Sequence, residues 1–217
     1  MIKVAPSILS ADFGKMAEAV ADIERWGADW VHCDVMDGVY VPNITFGMPM
    51  VKALRKYTSQ TLDVHLMITA PEKYVGQFCD AGADFVTFHP EACKCNVNTK
   101  RALDEIKSKG KKCGLVVNAD QPFDIVLPYL DQIDLLLIMT VQAGFGGQSF
   151  KEDCLAKVKL GYDIKVKNGY TYDIEIDGGV CPDNIKKCAA AGATVVVAGS
   201  AVFKAQDPAE AVRLLKC

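Results

Sequence analysis

The chain is short of several features, and each shortage removes a class of function. No apolar run approaches the roughly 20 residues that a membrane-spanning helix needs, so no membrane span is expected. Positive charge is not in excess: 24 Lys and Arg face 27 Asp and Glu, for a net charge of −3. That leaves no electrostatic footprint for nucleic acid or an anionic membrane. Cysteine is present but unpatterned. Its nine copies are an odd number scattered through the chain, and CKC at 93–95 lacks the spacing of a zinc knuckle. Cys33, Cys79, Cys113 and Cys188 lie beside apolar residues, so reduced thiols in a cytoplasmic protein are expected. MIKVAPSIL runs directly into a strand pattern without the form of a signal peptide. Linkers rich in Pro or Ser and low-complexity tracts are also missing. With 217 residues, 50% of them hydrophobic, the chain suits one domain over 1–217.

What is present is alternation. Short β-branched runs (KVAPSI, WVHCDVM, TLDVHLM, DFVTFH, KCGLVVN, LLLIM, YDIEID and TVVVAG) alternate with amphipathic segments. Those segments run from GKMAEAVADIERWG at the start, through FDIVLPYLDQ at 123–132, to AEAVRLLK at the end. Glycines at 27, 82, 110 and 192 close helices, where left-handed caps are expected. Eight strand–helix units of this length predict an α/β fold, a single (β/α)8 TIM barrel, with a doubly wound open sheet as the alternative.

A barrel carries its chemistry at the C-terminal ends of its strands, and there the sequence turns polar. Alternation puts His32, Asp34 and Met36 on one face of the second strand, and Asp63, His65 and Met67 on one face of the third. On the seventh, Asp173, Glu175 and Asp177 share a face. The fourth ends in FHPE, with His89 and Glu91, and the sixth in Met139. A lone histidine is more often a hydrogen-bonded core residue than a ligand. Four metal-competent side chains from three strand ends are different, because unpaired they would be costly buried polar groups. His32, Asp34, His65 and Asp177 form an N2O2 set for one divalent ion. Zinc, iron(II), manganese or cobalt suits that set better than calcium or magnesium. Met36, Met67 and Met139 read as barrel filler, or as a soft apolar wall beside the reacting centre.

Three glycine clusters also follow strands: GFGGQ at 144–148, DGG at 177–179 and AGS at 198–200. Barrels often grip phosphate with loop amides at these ends, where glycine lets the backbone come close. No Lys or Arg lies within the three stretches, so amide dipoles are expected to do the holding.

Several of these runs together resemble the D-ribulose-5-phosphate 3-epimerases along nearly the whole chain. The resemblance is carried by APSILSADF (5–13), HCDVMDGVYVPNITFG (32–47), LDVHLM (62–67), MTV with GFGGQSF (139–150), EIDGGV (175–180) and VAGSAVF (197–203). It implies a (β/α)8 barrel of the ribulose-phosphate-binding type. It also implies interconversion of ribulose and xylulose 5-phosphates in the pentose phosphate pathway. By the resemblance, His32, Asp34, His65 and Asp177 hold the metal, zinc foremost, and Asp34 and Asp177 are the acid/base pair. Ser7 contacts substrate, as do His65, Asp177 and the three methionines. Gly144, Phe145, Gly146, Gly147, Gly178, Gly179, Gly199 and Ser200 make the phosphate site. A homo-oligomer acting on a small phosphorylated ketose is implied.

The reaction itself asks for such groups. Inverting a carbinol carbon beside a ketone removes a weakly acidic hydrogen, and a metal can polarise the oxygens. Two carboxylates on opposite sides then serve as base and acid. One of them must stay protonated despite a nearby metal. The chain departs from the family pattern at Ala119 and Ala143, positions where proline is usual, and at Gln142; looser loops are expected there. D-allulose 6-phosphate is the alternative substrate. A Schiff-base aldolase would need a strand-end lysine, which none of the eight strands has. A non-catalytic phosphosugar-binding barrel would have no use for the strand-end carboxylates.

Overall fold

The computed structural model describes residues 1–216. Eight strands form in sequence: β1 (Lys3–Pro6), β2 (Trp30–Met36), β3 (Thr61–Met67), β4 (Phe85–Phe88), β5 (Lys112–Val117), β6 (Leu135–Met139), β7 (Asp173–Asp177) and β8 (Val195–Ala198). All pair in parallel in the order β1-β8-β7-β6-β5-β4-β3-β2. The β1–β2 seam is crossed by a single bridge between Ser7 and His32. Below it Asp29 doubles as a clasp, its N–H donating to Val4 O (2.9 Å) and its carboxylate accepting from Val4 N (2.8 Å). The result is a nearly closed barrel.

Outside lie α1 (Met16–Arg25), α2 (Met48–Leu54), α3 (Val75–Ala81), α4 (Asn96–Ser108), α5 (Leu155–Asn168), α6 (Ile185–Ala191), α7 (Ser200–Phe203) and α8 (Pro208–Leu215). The four expected glycine caps all take positive φ. FDIVLPYLDQ does not form the helix its pattern suggests. Pro128 lacks an N–H and clashes with a preceding turn, and the segment folds as two 3-10 turns, Phe123–Ile125 and Leu127–Tyr129. No helix among the described residues is long and apolar enough to cross a membrane. The stretch 45–51 enters α2, which buries Val51 and Leu54 in the core.

Strand alternation separates two apolar compartments. Val31, Cys33 and Val35 of β2 and Leu62, Val64 and Leu66 of β3 face outward into the core shared with the helices. Residues facing the barrel axis form layers. The floor is Ala5, Trp30, Phe85, Leu135, Val195 and Val197. Near the mouth, Met36, Val41, Met67, Met139, Val141 and Ala143 make a second apolar layer. Between the two lies the polar layer. No disulfide forms among the described residues.

Candidate active site

The β2–β3 register sets His32 beside Asp63, Asp34 beside His65 and Met36 beside Met67. Across the barrel, β7 brings Asp177 next to Met139 of β6. The four expected ligands thereby converge: one donor atom from each of His32, Asp34, His65 and Asp177 lies within 4.8 Å of every other. His32 Nε2 stands 3.5 Å from Asp34 Oδ1 and 3.9 Å from Asp177 Oδ2. His65 Nδ1 stands 3.6 and 3.8 Å from the same two oxygens. Tetrahedral ligands at metal-bond length are roughly 3.4 Å apart, so these separations are within a few tenths of an ångström of a coordination shell. Both nitrogens are buried without a hydrogen-bond partner, a costly condition that a cation would relieve. The residues fit the metal.

The charges in this layer are unequal. Burial works against ionising Asp34, but the charge of His32 and the closeness of both imidazoles (3.5 and 3.6 Å) outweigh it and hold its carboxyl well below the usual range. Ser7 adds a 2.5 Å hydrogen bond to Asp34 Oδ2. Asp177 moves the other way. Burial, then the negative charge of Asp34, pushes its carboxyl up to about 7. Burial favours neutral His32, yet Asp34 and Asp63 raise it well above its ordinary value, whereas burial dominates at His65 and lowers it. Before metal binds, His32 therefore carries a proton that a metal would displace.

Above this layer a cleft opens at the mouth of the barrel. Ser7, Asp34, Met36, Met67, Met139 and Asp177 line its depth, and the three glycine clusters line its upper wall, with Phe145 and Ser200. His32 and His65 lie beneath, touching the cleft only through the carboxylates. Gly179 has φ +69, and a Cβ there would meet the backbone N of Phe150 at 2.7 Å. A Cβ on Gly199 would strike Ser10 Oγ at 2.5 Å. The backbone contact and positive φ at Gly179 require glycine, whereas at Gly199 the Ser10 side chain would have to turn away. The loops expected to be loose are tied down by side chains. Gln148 Nε2 donates to the carbonyls of Gln142 (2.6 Å) and Phe145 (2.7 Å), and Asn43 Nδ2 to Gly144 O (2.8 Å). Lys157 Nζ donates to Asn118 O, Ala119 O and Gln121 O (2.9, 2.8 and 2.6 Å), doing at Ala119 what a ring constraint would otherwise do.

Several participants were not identified from sequence. Asp63 accepts a 2.6 Å hydrogen bond from His32 Nδ1 and fixes Nε2 toward the carboxylates. Strand alternation already gave Asp63 the right face, but not its partner. Glu175, fully buried under the site, is raised well above the usual range by burial and then by the Asp63 charge, which keeps it protonated. The cation missing from the glycine stretches comes from elsewhere: Lys204 shares a second cleft with Ser10, Asn43, Gly146, Gly147 and Ser200. It follows Ser200 by one turn of α7, and the fold brings it against Gly146 and Gly147. Asp37, by contrast, is structural. It accepts from the N–H groups of Val39, Tyr40 and Thr69 and the Thr69 hydroxyl, which hold its carboxyl down at about 2 although burial opposes them.

The sequence profile of the ribulose-phosphate 3-epimerase family matches residues 3–203. A ribulose-phosphate 3-epimerase of Synechocystis sp. is 48% identical over 97% of this chain and 91% of that protein. One from Bacillus subtilis is 46% identical over 98% and 97%. The chloroplastic ribulose-5-phosphate-3-epimerase of Arabidopsis thaliana is 48% identical over 99% of this chain and 76% of that protein. Among solved structures, 3-hexulose-6-phosphate synthase from Salmonella typhimurium superposes with a TM-score of 0.71 at 21% identity, covering 99% of this chain and 96% of that one. At that identity the likeness speaks for the barrel fold alone.

Proposed function

The chain belongs to the ribulose-phosphate 3-epimerase family and is an enzyme of that type, and we propose that it inverts C3 of D-ribulose 5-phosphate to give D-xylulose 5-phosphate, as a step of the pentose phosphate pathway. His32, Asp34, His65 and Asp177 would hold one divalent ion, zinc foremost. When bound, such an ion supplies positive charge that polarises the ketone and its neighbouring hydroxyl.

The side chains do the rest. Amides of the glycine loops, the Ser200 hydroxyl and the nearby Lys204 charge hold the phosphate at the cleft wall. Asp34, kept ionised, takes the C3 proton; Ser7 steadies its Oδ2 and keeps the carboxylate from turning. The methionine layer screens the resulting enediolate from water, which limits stray protonation. Asp177, whose carboxyl sits near 7 in the metal-free centre, returns a proton to the opposite face. Two carboxyls pushed apart in acidity supply an acid and a base at one pH. Each turnover exchanges their protonation states, so the enzyme finishes poised for the reverse reaction.

The observation that carries this reading is the pair of orphaned buried imidazole nitrogens aimed at the Asp34–Asp177 pair. Proton NMR in D2O with metal-loaded protein tests it. Deuterium should enter at C3 of ribulose 5-phosphate while xylulose 5-phosphate accumulates, faster than exchange in allulose 6-phosphate. No C3 exchange with either sugar would refute the epimerase chemistry, and faster exchange in the hexulose would change the substrate.

A further inference from the structure

The proposed metal is gripped by two imidazoles, and the fold serves them differently. A ligating imidazole needs its other nitrogen protonated and engaged. His32 has this directly from Asp63. For His65 there is no carboxylate at that position. Its Nε2 lies 2.9 Å from Nε2 of His89, a residue with no accessible surface, and the two rings meet edge to edge with centroids 5.1 Å apart and planes 29° apart. His89 Nδ1 in turn faces Glu91 Oε1 at 3.5 Å. Tyr40, on the loop between β2 and α2, donates to the same oxygen at 2.8 Å and lays its ring against His89 (4.8 Å between centroids).

Two neutral imidazoles meeting Nε2 to Nε2 share one proton, so their tautomers are linked. If the proton sits on His65 Nε2, the lone pair of His65 Nδ1 faces Asp34 and Asp177, ready for a cation. His89 must then carry its proton on Nδ1, pointing at Glu91. In the opposite arrangement His65 Nδ1–H fills the metal position, and the bare Nδ1 of His89 confronts the Glu91 carboxylate. Asp34 favours the second arrangement and Glu91 the first. His89 Nδ1 is otherwise a buried atom with no hydrogen-bond partner.

We propose that Glu91, acting through His89, is a positioning residue that selects the metal-ready tautomer of His65. Tyr40 fixes the carboxylate in place and ties this relay to the loop over the cleft. The inference rests on the metal site proposed above, and the experiment separates the two.

Nitrogen-15 NMR of the metal-free protein should find His65 mainly protonated on Nε2, a measurement that needs no variant. Glu91→Gln keeps the shape but can offer a donor or an acceptor. It should shift His65 toward Nδ1–H and weaken zinc binding, measured by chelator competition, by roughly 10- to 100-fold. Tyr40→Phe frees the carboxylate but keeps its charge, and should weaken zinc binding less than Glu91→Gln does. His65 found on Nδ1–H in the parent, or zinc affinity within twofold in Glu91→Gln while His65→Ala abolishes binding, overturns the relay and leaves the metal site standing. Undiminished zinc binding in His65→Ala overturns both.

Discussion

The floor of the barrel and its polar layer are built from the same strands two residues apart, and they solve opposite problems. Trp30 precedes His32 by two positions and Phe85 precedes Thr87 by two, so each pair faces the axis one layer apart. On the floor Trp30 and Phe85 pack with ring centroids 4.8 Å apart, and the ammonium groups of Lys3 and Lys112 cover them from solvent at 5.0 Å. Every group there is satisfied by packing. One layer up, the buried atoms His32 Nε2, Asp63 Oδ1, His65 Nδ1, Thr87 Oγ1 and both oxygens of Glu175 have no hydrogen-bond partner. The floor stabilises the barrel, and the polar layer costs stability that its chemistry requires.

The sharpest way to break this comparison is to neutralise the carboxylates. Asp34→Asn and Asp177→Asn should each lower epimerase turnover by about 10^4-fold, the upper range for losing a positioned acid or base, in a coupled assay. Thermal unfolding of metal-free Asp177→Asn should show no loss of stability, because the change removes repulsion from Asp34. Asp34→Asn, by contrast, leaves His32 without its paired charge and should lose some. An Asp177→Asn protein that unfolds early would show that the layer supports the fold after all. The floor should answer in reverse. Trp30→Ala should cost about 3–5 kcal/mol in urea unfolding, while the fraction that remains folded keeps its turnover. A parallel collapse of turnover would mean that floor packing sets the geometry above it.

The two layers also differ in how far the sequence revealed them. Period-two alternation gave the axis-facing side of β2, β3 and β7, hence the four metal candidates, because a strand side chain has only two faces to choose between. It also put Asp63 and Glu175 on the correct face, without saying which side chain each meets across the barrel; that follows from strand register and tilt. Ser10 reaches the glycine loops from the connection after β1. Lys204, one turn past Ser200, reaches the loop of Gly146 and Gly147 from the connection after β8; no local pattern marks that the two loops meet. The 123–132 segment shows the opposite failure. Its helical spacing is real, but Pro128 overrides it. At Ala119 the missing proline was legible, whereas Lys157, 38 residues away and holding the same loop, was not.

The finest distinction between the layers is their response to pH. Asp177 has a folded value near 7 against 3.8 for the free carboxyl. Between those values the folded metal-free protein retains a proton that the unfolded chain has lost. The stability this contributes is complete below about pH 4 and is lost as pH rises through about 7, at no more than about 1.4 kcal/mol per pH unit. His65 and His89, both lowered by burial, titrate with the opposite sign as pH falls below 6.5, so the parent's total stability blends the contributions. Comparing Asp177→Asn with the parent isolates the carboxyl. In chelator-treated protein the stability of the variant relative to the parent should climb with pH from 4 to 7 and level off above, by a few kcal/mol in all. Trp30→Ala should show no such slope, since nothing in its apolar contacts titrates in that window. A flat Asp177→Asn difference would mean that the second carboxylate is as acidic as an exposed one. The acid required opposite Asp34 would then have to come from another group.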